Sequence, residues 1–417
     1  MAALGGLGRA LSHRNARIFF GGSLVAWTGL WMHRIAVAWL AWELTRSAFW
    51  VGVVAFCDLA PAVIFSPIAG AVADRVDRVR LAMAAQAAIG LQAAVIAGVT
   101  AAGHMSIGLL LVLEVAGGIA ASFAQPARQT LMPGIVPRGD LAAAVACNSL
   151  TFSIARFIGP ALAGPIIAIW GVVPAIGANA VAYLIACATL PLLSIAAAER
   201  RGHPVSKSLW GEVVEGISYA ARHRGIGPLL LYAALGAILL RGVQEILPPF
   251  VERLFGRGAE SLAILTACFG IGALVAGLWV ANRGRLEGTT RLAVWAALAQ
   301  AAATGLFVAT GWFPLGMLAA ALIGGFASVH GISVQTLLQT ATEHEFRGRM
   351  LSLWGLITRA CPALGALALG AAGEAFGLRV PTLVAVALFL GVFAWGMAKL
   401  GRMERELEGG GASPAAR

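Results

Sequence analysis

Apolar runs long enough to cross a bilayer, about 20 residues each, recur along the whole chain with only short polar stretches between them. Of the 417 residues, 59% are hydrophobic and 12% charged, whereas a soluble domain carries about 25% charged residues. The excess apolar surface has to face lipid. Spans are predicted at 18–42, 48–72, 81–102, 105–125, 141–169, 172–195, 226–250, 260–281, 291–311, 313–340, 350–373 and 379–400. Each is predicted to be a helix, because hydrocarbon offers the backbone no outside hydrogen-bond partner. Small-residue spacings such as Gly117-Gly118 and Gly270-x-Gly272 let such helices approach closely. The sequence thus predicts an all-α membrane protein of twelve transmembrane helices, with no room for a folded extramembrane domain.

The net charge of +11 does not mark a nucleic-acid binder, because its distribution follows the membrane. Arg46, Arg253, Arg257 and Arg379 fall in odd-numbered loops, and Arg34, Arg156, Arg241 and Arg359 inside spans. The other 22 of the 30 Lys and Arg lie in the two tails and the even-numbered loops. This bias sets topology. It predicts a multi-pass protein of the cell (inner or plasma) membrane with both termini cytoplasmic. Arg9, Arg14 and Arg17 precede a first span too long for a leader's apolar core, so no cleavage is expected. Cys57, Cys147, Cys187, Cys268 and Cys361 lie far apart in apolar runs without metal-ligand spacing, and read as reduced core residues. No metal or cofactor is expected. The phosphate-cradling pattern G-x-x-x-x-G-K-[S/T] is absent, which removes an ATP-driven pump. No nucleophile–base set appears either, so an enzyme is not expected.

The two halves repeat. Span five contains Arg156-Phe-Ile-Gly159-Pro160-Ala-Leu-Ala-Gly164, and span eleven Arg359-Ala-Cys-Pro362-Ala-Leu-Gly365. The predicted organisation is a tail at 1–17, a six-helix bundle at 18–195, a linker at 196–225, a second six-helix bundle at 226–400 and a tail at 401–417. Within the linker, Leu209 to Arg222 has apolar residues at helical spacing and reads as an amphipathic helix on the cytoplasmic surface. From Arg402 the tail is charged, then glycine-rich, and is predicted to be disordered. A six-plus-six plan suits a rocking transporter with its binding site between the halves near the midplane.

Between spans two and three lies a knot of alternating charge, Gly70-Ala-Val-Ala-Asp74-Arg75-Val-Asp77-Arg78-Val-Arg80-Leu81, read as a tight loop. Gly70, Asp74, Arg75, Arg78 and Arg80 resemble the signature loop of the major facilitator superfamily, G-x-x-x-D-R-x-G-R-R. Asp77 replaces its usual glycine and Val79 the first arginine of its usual pair. A degenerate echo follows span eight in Gly277-Leu-Trp-Val-Ala-Asn282-Arg283-Gly-Arg285. From about Asn15 to Leu400 the chain resembles the branch containing the bacterial enterobactin exporter and macrolide-efflux proteins. The stretches that carry this are Gly29-Leu-Trp31-Met32-His-Arg34, Pro126-Ala-Arg128-Gln, Asn148-Ser149 through Gly164, and Phe346-Arg347-Gly348-Arg349-Met. Gly159, Pro160 and Gly164 resemble the fifth-helix motif of antiporting exporters, with Pro165 in place of the second glycine of its closing pair. The resemblance implies export by alternating access, and a conformational latch of Asp74 and Arg75 with the end of span eleven. It assigns nothing to Asp58 or Glu114, which have no usual counterpart in this branch.

Those two carboxylates have to be read from their setting. A charge near the bilayer centre costs roughly 2.5–3.5 kcal/mol on insertion scales, so each implies a partner or a water-filled cavity. The candidates are Arg34, Asp58, Glu114, Arg156, Arg241, Glu245, His330 and Arg359. At about 1.5 Å per residue, Glu114 and Arg156 both fall in the outer half of the membrane, and a pair between them is expected. Asp58 falls near mid-depth with Arg34 the nearest basic residue. Left unpaired there, Asp58 would favour its protonated form, as a proton-coupling group requires. Asp58 is therefore the first coupling candidate and Glu114 the second, and for each the alternative is a structural ion pair. Arg241 and Glu245, four apart on one helix, can bond each other. His330 reads as a solvated or hydrogen-bonded histidine, and Arg359 awaits an anion or an acidic partner. Among Trp27, Trp31, Trp39, Trp42 and Trp50, those near the outer end suit an interfacial belt, while Trp31 or Trp39 can instead line the pocket.

The expectation is a monomeric secondary transporter that exports a small amphipathic molecule, such as a drug or siderophore, in exchange for protons. Its partners are that substrate, protons and membrane lipids, with no nucleic acid. Arg34, Trp31, Arg156, Arg241, Glu245 and Arg359 are the substrate-cavity candidates. Two rivals stand: a lipid or lysolipid flippase of the same fold, and a non-transporting membrane receptor.

Overall fold

The structure is a computed structural model, and it describes residues 8–194, 209–283, 285–343 and 346–409. Among these residues, twelve helical segments are long and apolar enough to cross a membrane, so the expected all-α membrane architecture is present. The described residues fall into two compact units. One draws on Met1–Arg46, Cys57–Ser206 and Gly258–Ile264, the other on Ser47–Phe56, Lys207–Arg257 and Leu265–Arg417.

In the first unit, helix α1 (Arg14–Thr45) packs against α6 (Leu141–Trp170) and α7 (Val172–Thr189). Span two is not the uninterrupted helix expected over 48–72. It is divided into α2 (Ala48–Leu59) and α3 (Pro61–Arg75), with Ala60 between them. Pro61 supplies no N–H, and its ring clashes with the carbonyl four residues back, so the helix parts directly beside Asp58. The charged knot also differs from the expected loop. Helix α3 runs on to Arg75, and α4 (Arg78–Ala101) starts after only Val76 and Asp77. Asp77 is the reason the turn can be so short: its Oδ1 accepts from Val79 N at 2.9 Å and Arg80 N at 3.0 Å. The residue that departs from the superfamily's glycine is thus a helix N-cap. Helix α5 (Ile107–Leu131) outruns the expected span four, and packs on α3 and α4.

In the second unit, α8 (Leu209–Arg222) precedes α9 (Ile226–Glu245) and α10 (Leu247–Phe255), the break in span seven falling at Ile246, just ahead of Pro248-Pro249. These are followed by α11 (Ala259–Arg283, begun in the first unit), α12 (Thr289–Ala309), α13 (Phe313–Ala341), α14 (Arg347–Phe376) and α15 (Arg379–Glu408). Glu215 of α8 pairs with Arg349 at 3.0 Å, and Tyr219 stacks on Phe346 with ring centroids 4.4 Å apart. The predicted disorder from Arg402 is corrected. Helix α15 continues to Glu408 because Met403 and Leu407 are buried and Glu408 holds the start of α12, accepting from Gly288 N and Thr290 N at 2.6 Å each. Residues 195–208 of the expected linker and 410–417 of the expected tail lie outside the described residues.

Candidate functional site

The ionisable residues of the first unit gather where α1, α2, α4, α5 and α6 meet. Consecutive residues on a helix point about 100° apart, so His33 and Arg34 of α1 serve two different faces. Arg34 Nη2 donates to Asp58 Oδ2 at 3.0 Å. Asp58 therefore does not stand unpaired. His33 Nε2 lies 3.2 Å from Glu114 Oε1, and Gln92 Nε2 donates to the same oxygen at 3.0 Å. The expected Glu114–Arg156 pair does not form. The guanidinium of Arg156 instead lies over the Trp31 ring at 5.2 Å, and that of Arg34 at 5.4 Å.

The two carboxylates differ in setting. The Arg34 and Asp58 side chains keep 30% and 25% of their surface accessible, while those of His33 and Glu114 keep 6% and 5%. One pair is partly accessible and the other is sealed. Glycine sets their spacing. A Cβ on Gly118, one turn beyond Glu114, would strike the Asp58 carbonyl oxygen and meet the Pro61 ring at 3.0 Å. The absence of that carbon seats α5 against the break in span two. Likewise a Cβ on Gly159 would lie 2.5 Å from Trp31 Cβ and 2.8 Å from the Thr28 carbonyl oxygen, so this glycine lets α6 bring Arg156 to Trp31. Gly164 makes the same kind of close approach to Ala263, and Pro160 is buried beside Gly159 within α6.

Other candidates lie elsewhere. Arg241 on α9 lines a cavity of about 30 Å³ in the second unit with Gln300, His330, Trp354 and Thr358. His330 Nδ1 donates to the Ala293 carbonyl at 2.9 Å. Glu245 is the last residue of α9 and Arg359 sits in mid-α14, both half-buried. In the signature stretch, Arg75 and Arg80 are exposed and Arg78 reaches the Thr130 carbonyl at 3.5 Å. For Gly70 and Asp74 only the helical backbone is described.

Sequence reasoning missed three participants. His33 and Gln92 were not singled out, although both interrupt apolar spans. The predicted end of span four at 125 places Arg128 in the following loop, yet it is buried within α5 against the rings of Phe19 and Trp27 (5.2 and 4.4 Å) and donates to Ser23 Oγ at 2.5 Å. The interfacial belt is also corrected. Trp39 and Trp42 are buried, with Trp39 Nε1 donating to Glu43 at 2.7 Å, whereas Trp170, Trp279, Trp295 and Trp312 are exposed.

Among the described residues, twelve helices long and apolar enough to cross a membrane, in two compact units with ionisable side chains sealed among them, define an integral membrane protein. The chain belongs to the transmembrane secretion effector family of the major facilitator superfamily, whose model matches residues 9–412. It is 26% identical over 369 residues to the enterobactin exporter EntS of Escherichia coli, covering 87% of this chain and 86% of that one. It is 21% identical over 335 residues to macrolide efflux protein A of Streptococcus pyogenes, covering 80% and 82%. The staphyloferrin A transporter of Staphylococcus aureus is 30% identical over 171 residues, a match to 41% of this chain and 43% of that relative, under half its length. Among solved structures, a peptide transporter of the POT family superposes with a TM-score of 0.77 at 11% identity, covering 95% and 96%. A bacterial homologue of the human lysosomal transporter Spinster gives 0.71 at 16% identity, covering 96% and 99%. These likenesses show the fold.

Proposed function

We propose that this transporter exports a small amphipathic molecule across the cell membrane in exchange for protons, with both termini in the cytoplasm. The observation that carries the reading is Glu114, a carboxylate sealed in the membrane whose partners are an imidazole and a carboxamide rather than a fixed positive charge. A lasting structural ion pair would use Arg or Lys. A carboxylate facing an imidazole, which can itself accept or donate a proton, is suited to taking up and releasing a proton. Asp58, in the more accessible pair with Arg34, is the second coupling group. Export is supported by the relatives named as exporter and efflux proteins.

A specific observation favours an anionic substrate within this reading. The guanidiniums of Arg34 and Arg156 both lie over the Trp31 indole, and Asp58 pairs with Arg34. An aromatic ring with two cations beside it suits a flat, negatively charged group. The test is proton flux in proteoliposomes carrying the purified protein, with lipophilic cations, macrolides and catecholate siderophores added singly. Proton movement driven by one of these compounds, and lost in Glu114→Gln, is the expected result. Absence of flux across the whole panel would end the antiport reading and direct the assay to lipid flipping.

A further inference from the structure

We infer that the cavity inside the second unit is a binding site for one small monovalent anion of chloride size, held by Arg241, Gln300 and Trp354.

The space exists because small residues line much of it. Ala237 of α9, Ala297 of α12 and Gly331 of α13 leave room where larger side chains would fill it. Its volume of about 30 Å³ holds about two water-sized bodies. A chloride ion fits, and sulfate is too large. All the lining residues belong to four helices of one unit, α9, α12, α13 and α14, so the site is separate from the Trp31 cluster of the first unit.

Hydrogen bonding narrows the occupant. Thr358 Oγ1 donates to the Gly355 carbonyl at 3.0 Å, and His330 Nδ1 donates to the Ala293 carbonyl at 2.9 Å. A hydroxyl and a neutral imidazole have one hydrogen each, so both of these are committed to backbone. The lining residues with hydrogens left to give are Arg241, Gln300 and Trp354.

Gln300 gives the clearest sign of a missing ligand. It is only 3% exposed, and its Nε2 has no hydrogen-bond partner. A buried N–H without an acceptor is costly, so the amide calls for one from the cavity it lines. Arg241 fixes the charge of that acceptor. Its guanidinium is permanently positive, and none of the described residues lining the cavity is Asp or Glu. Glu245, four residues on along α9, is not among them. Inside a protein two charges attract about fourfold more strongly than in water. An anion therefore gains from Arg241 what a water molecule does not, and a cation is repelled.

The test uses the whole chain, purified into lipid nanodiscs in halide-free gluconate buffer. Melting temperature is followed with added chloride, and tryptophan fluorescence with added bromide, which quenches an indole it touches. The expected results are a melting temperature that rises with chloride but not with sulfate of equal ionic strength, and a saturable quenching component that Trp354→Phe removes. Gln300→Leu deletes one donor to the ion and is expected to weaken apparent chloride affinity about tenfold or more. Gln300→Glu puts a carboxylate beside Arg241 in place of the ion, so its melting temperature should ignore chloride. It serves alone if Gln300→Leu does not fold. Chloride and sulfate acting alike, a chloride response undiminished in the Gln300 variants, or saturable quenching that survives Trp354→Phe overturns the proposal. So does the absence of any chloride effect, which is the outcome if water alone fills the cavity.

Discussion

Arg34 Nη2 stands 3.0 Å from Asp58 Oδ2, tying the middle of α1 to the point where span two breaks before Pro61. The pair is partly accessible, not sealed, which limits its worth. Asp58→Asn and Arg34→Gln are each expected to lower stability by about 1 kcal/mol. The double variant should cost clearly less than the two together, because neither then strands a charge. Thermal unfolding in detergent reads this double-mutant cycle, and strict additivity would show that the contact contributes nothing.

Close approach of helices makes a contrast between two glycines of comparable chemistry. Gly159→Ala is expected to destabilise by about 1–3 kcal/mol through overpacking against Trp31 and Thr28. Gly21→Ala, exposed on α1 with nothing within 4 Å of the added carbon, should instead stabilise by about 0.5–1 kcal/mol through the lower backbone entropy of the unfolded chain. Equal shifts in melting temperature for the two would refute the packing role assigned to Gly159.

At the turn between α3 and α4, Asp77→Ala removes the acceptor of two backbone N–H groups and is expected to cost about 1 kcal/mol. Asp77→Gly, which restores the superfamily's usual residue, should cost only a few tenths relative to Asp77, since glycine is itself tolerated at an N-cap. A glycine variant as damaged as the alanine one would mean that the capping account is wrong.

The last turn of α15 should be structural. Glu408→Ala strands Gly288 N and Thr290 N at the start of α12, with an expected loss of about 1–2 kcal/mol. Ending the chain at Gly401 also exposes what Met403 and Leu407 cover, each worth about 1.5–3 kcal/mol of burial. Unchanged melting of the truncated protein would return this segment to the disordered tail that its composition suggests.

Span number and helical class were legible because they follow from a one-dimensional count: lipid demands long apolar runs, and helices satisfy the backbone within them. Helix ends were less legible. The knot around Asp74 is polar enough for a loop, yet Asp77 caps α4 so tightly that two residues suffice. Arg128 looked like loop charge, because a sequence does not announce that Phe19 and Trp27 wait on another helix to enclose a guanidinium. Trp39 and Trp42 failed as belt residues for the same reason: being at the end of a span says nothing about which side of the helix faces lipid.

By itself the sequence determined that this chain is a twelve-helix membrane protein, through its apolar runs, and which positions carry charge within them. Tertiary structure alone decided how those charges are used: Asp58 with Arg34, Glu114 with His33 and Gln92, Arg156 on Trp31. The physical reason is rotational. Depth along a helix can be counted from the sequence, but the angle at which each helix presents its side chains is fixed only by packing. Here that packing depends on glycines such as Gly118 and Gly159, which let particular helix faces meet.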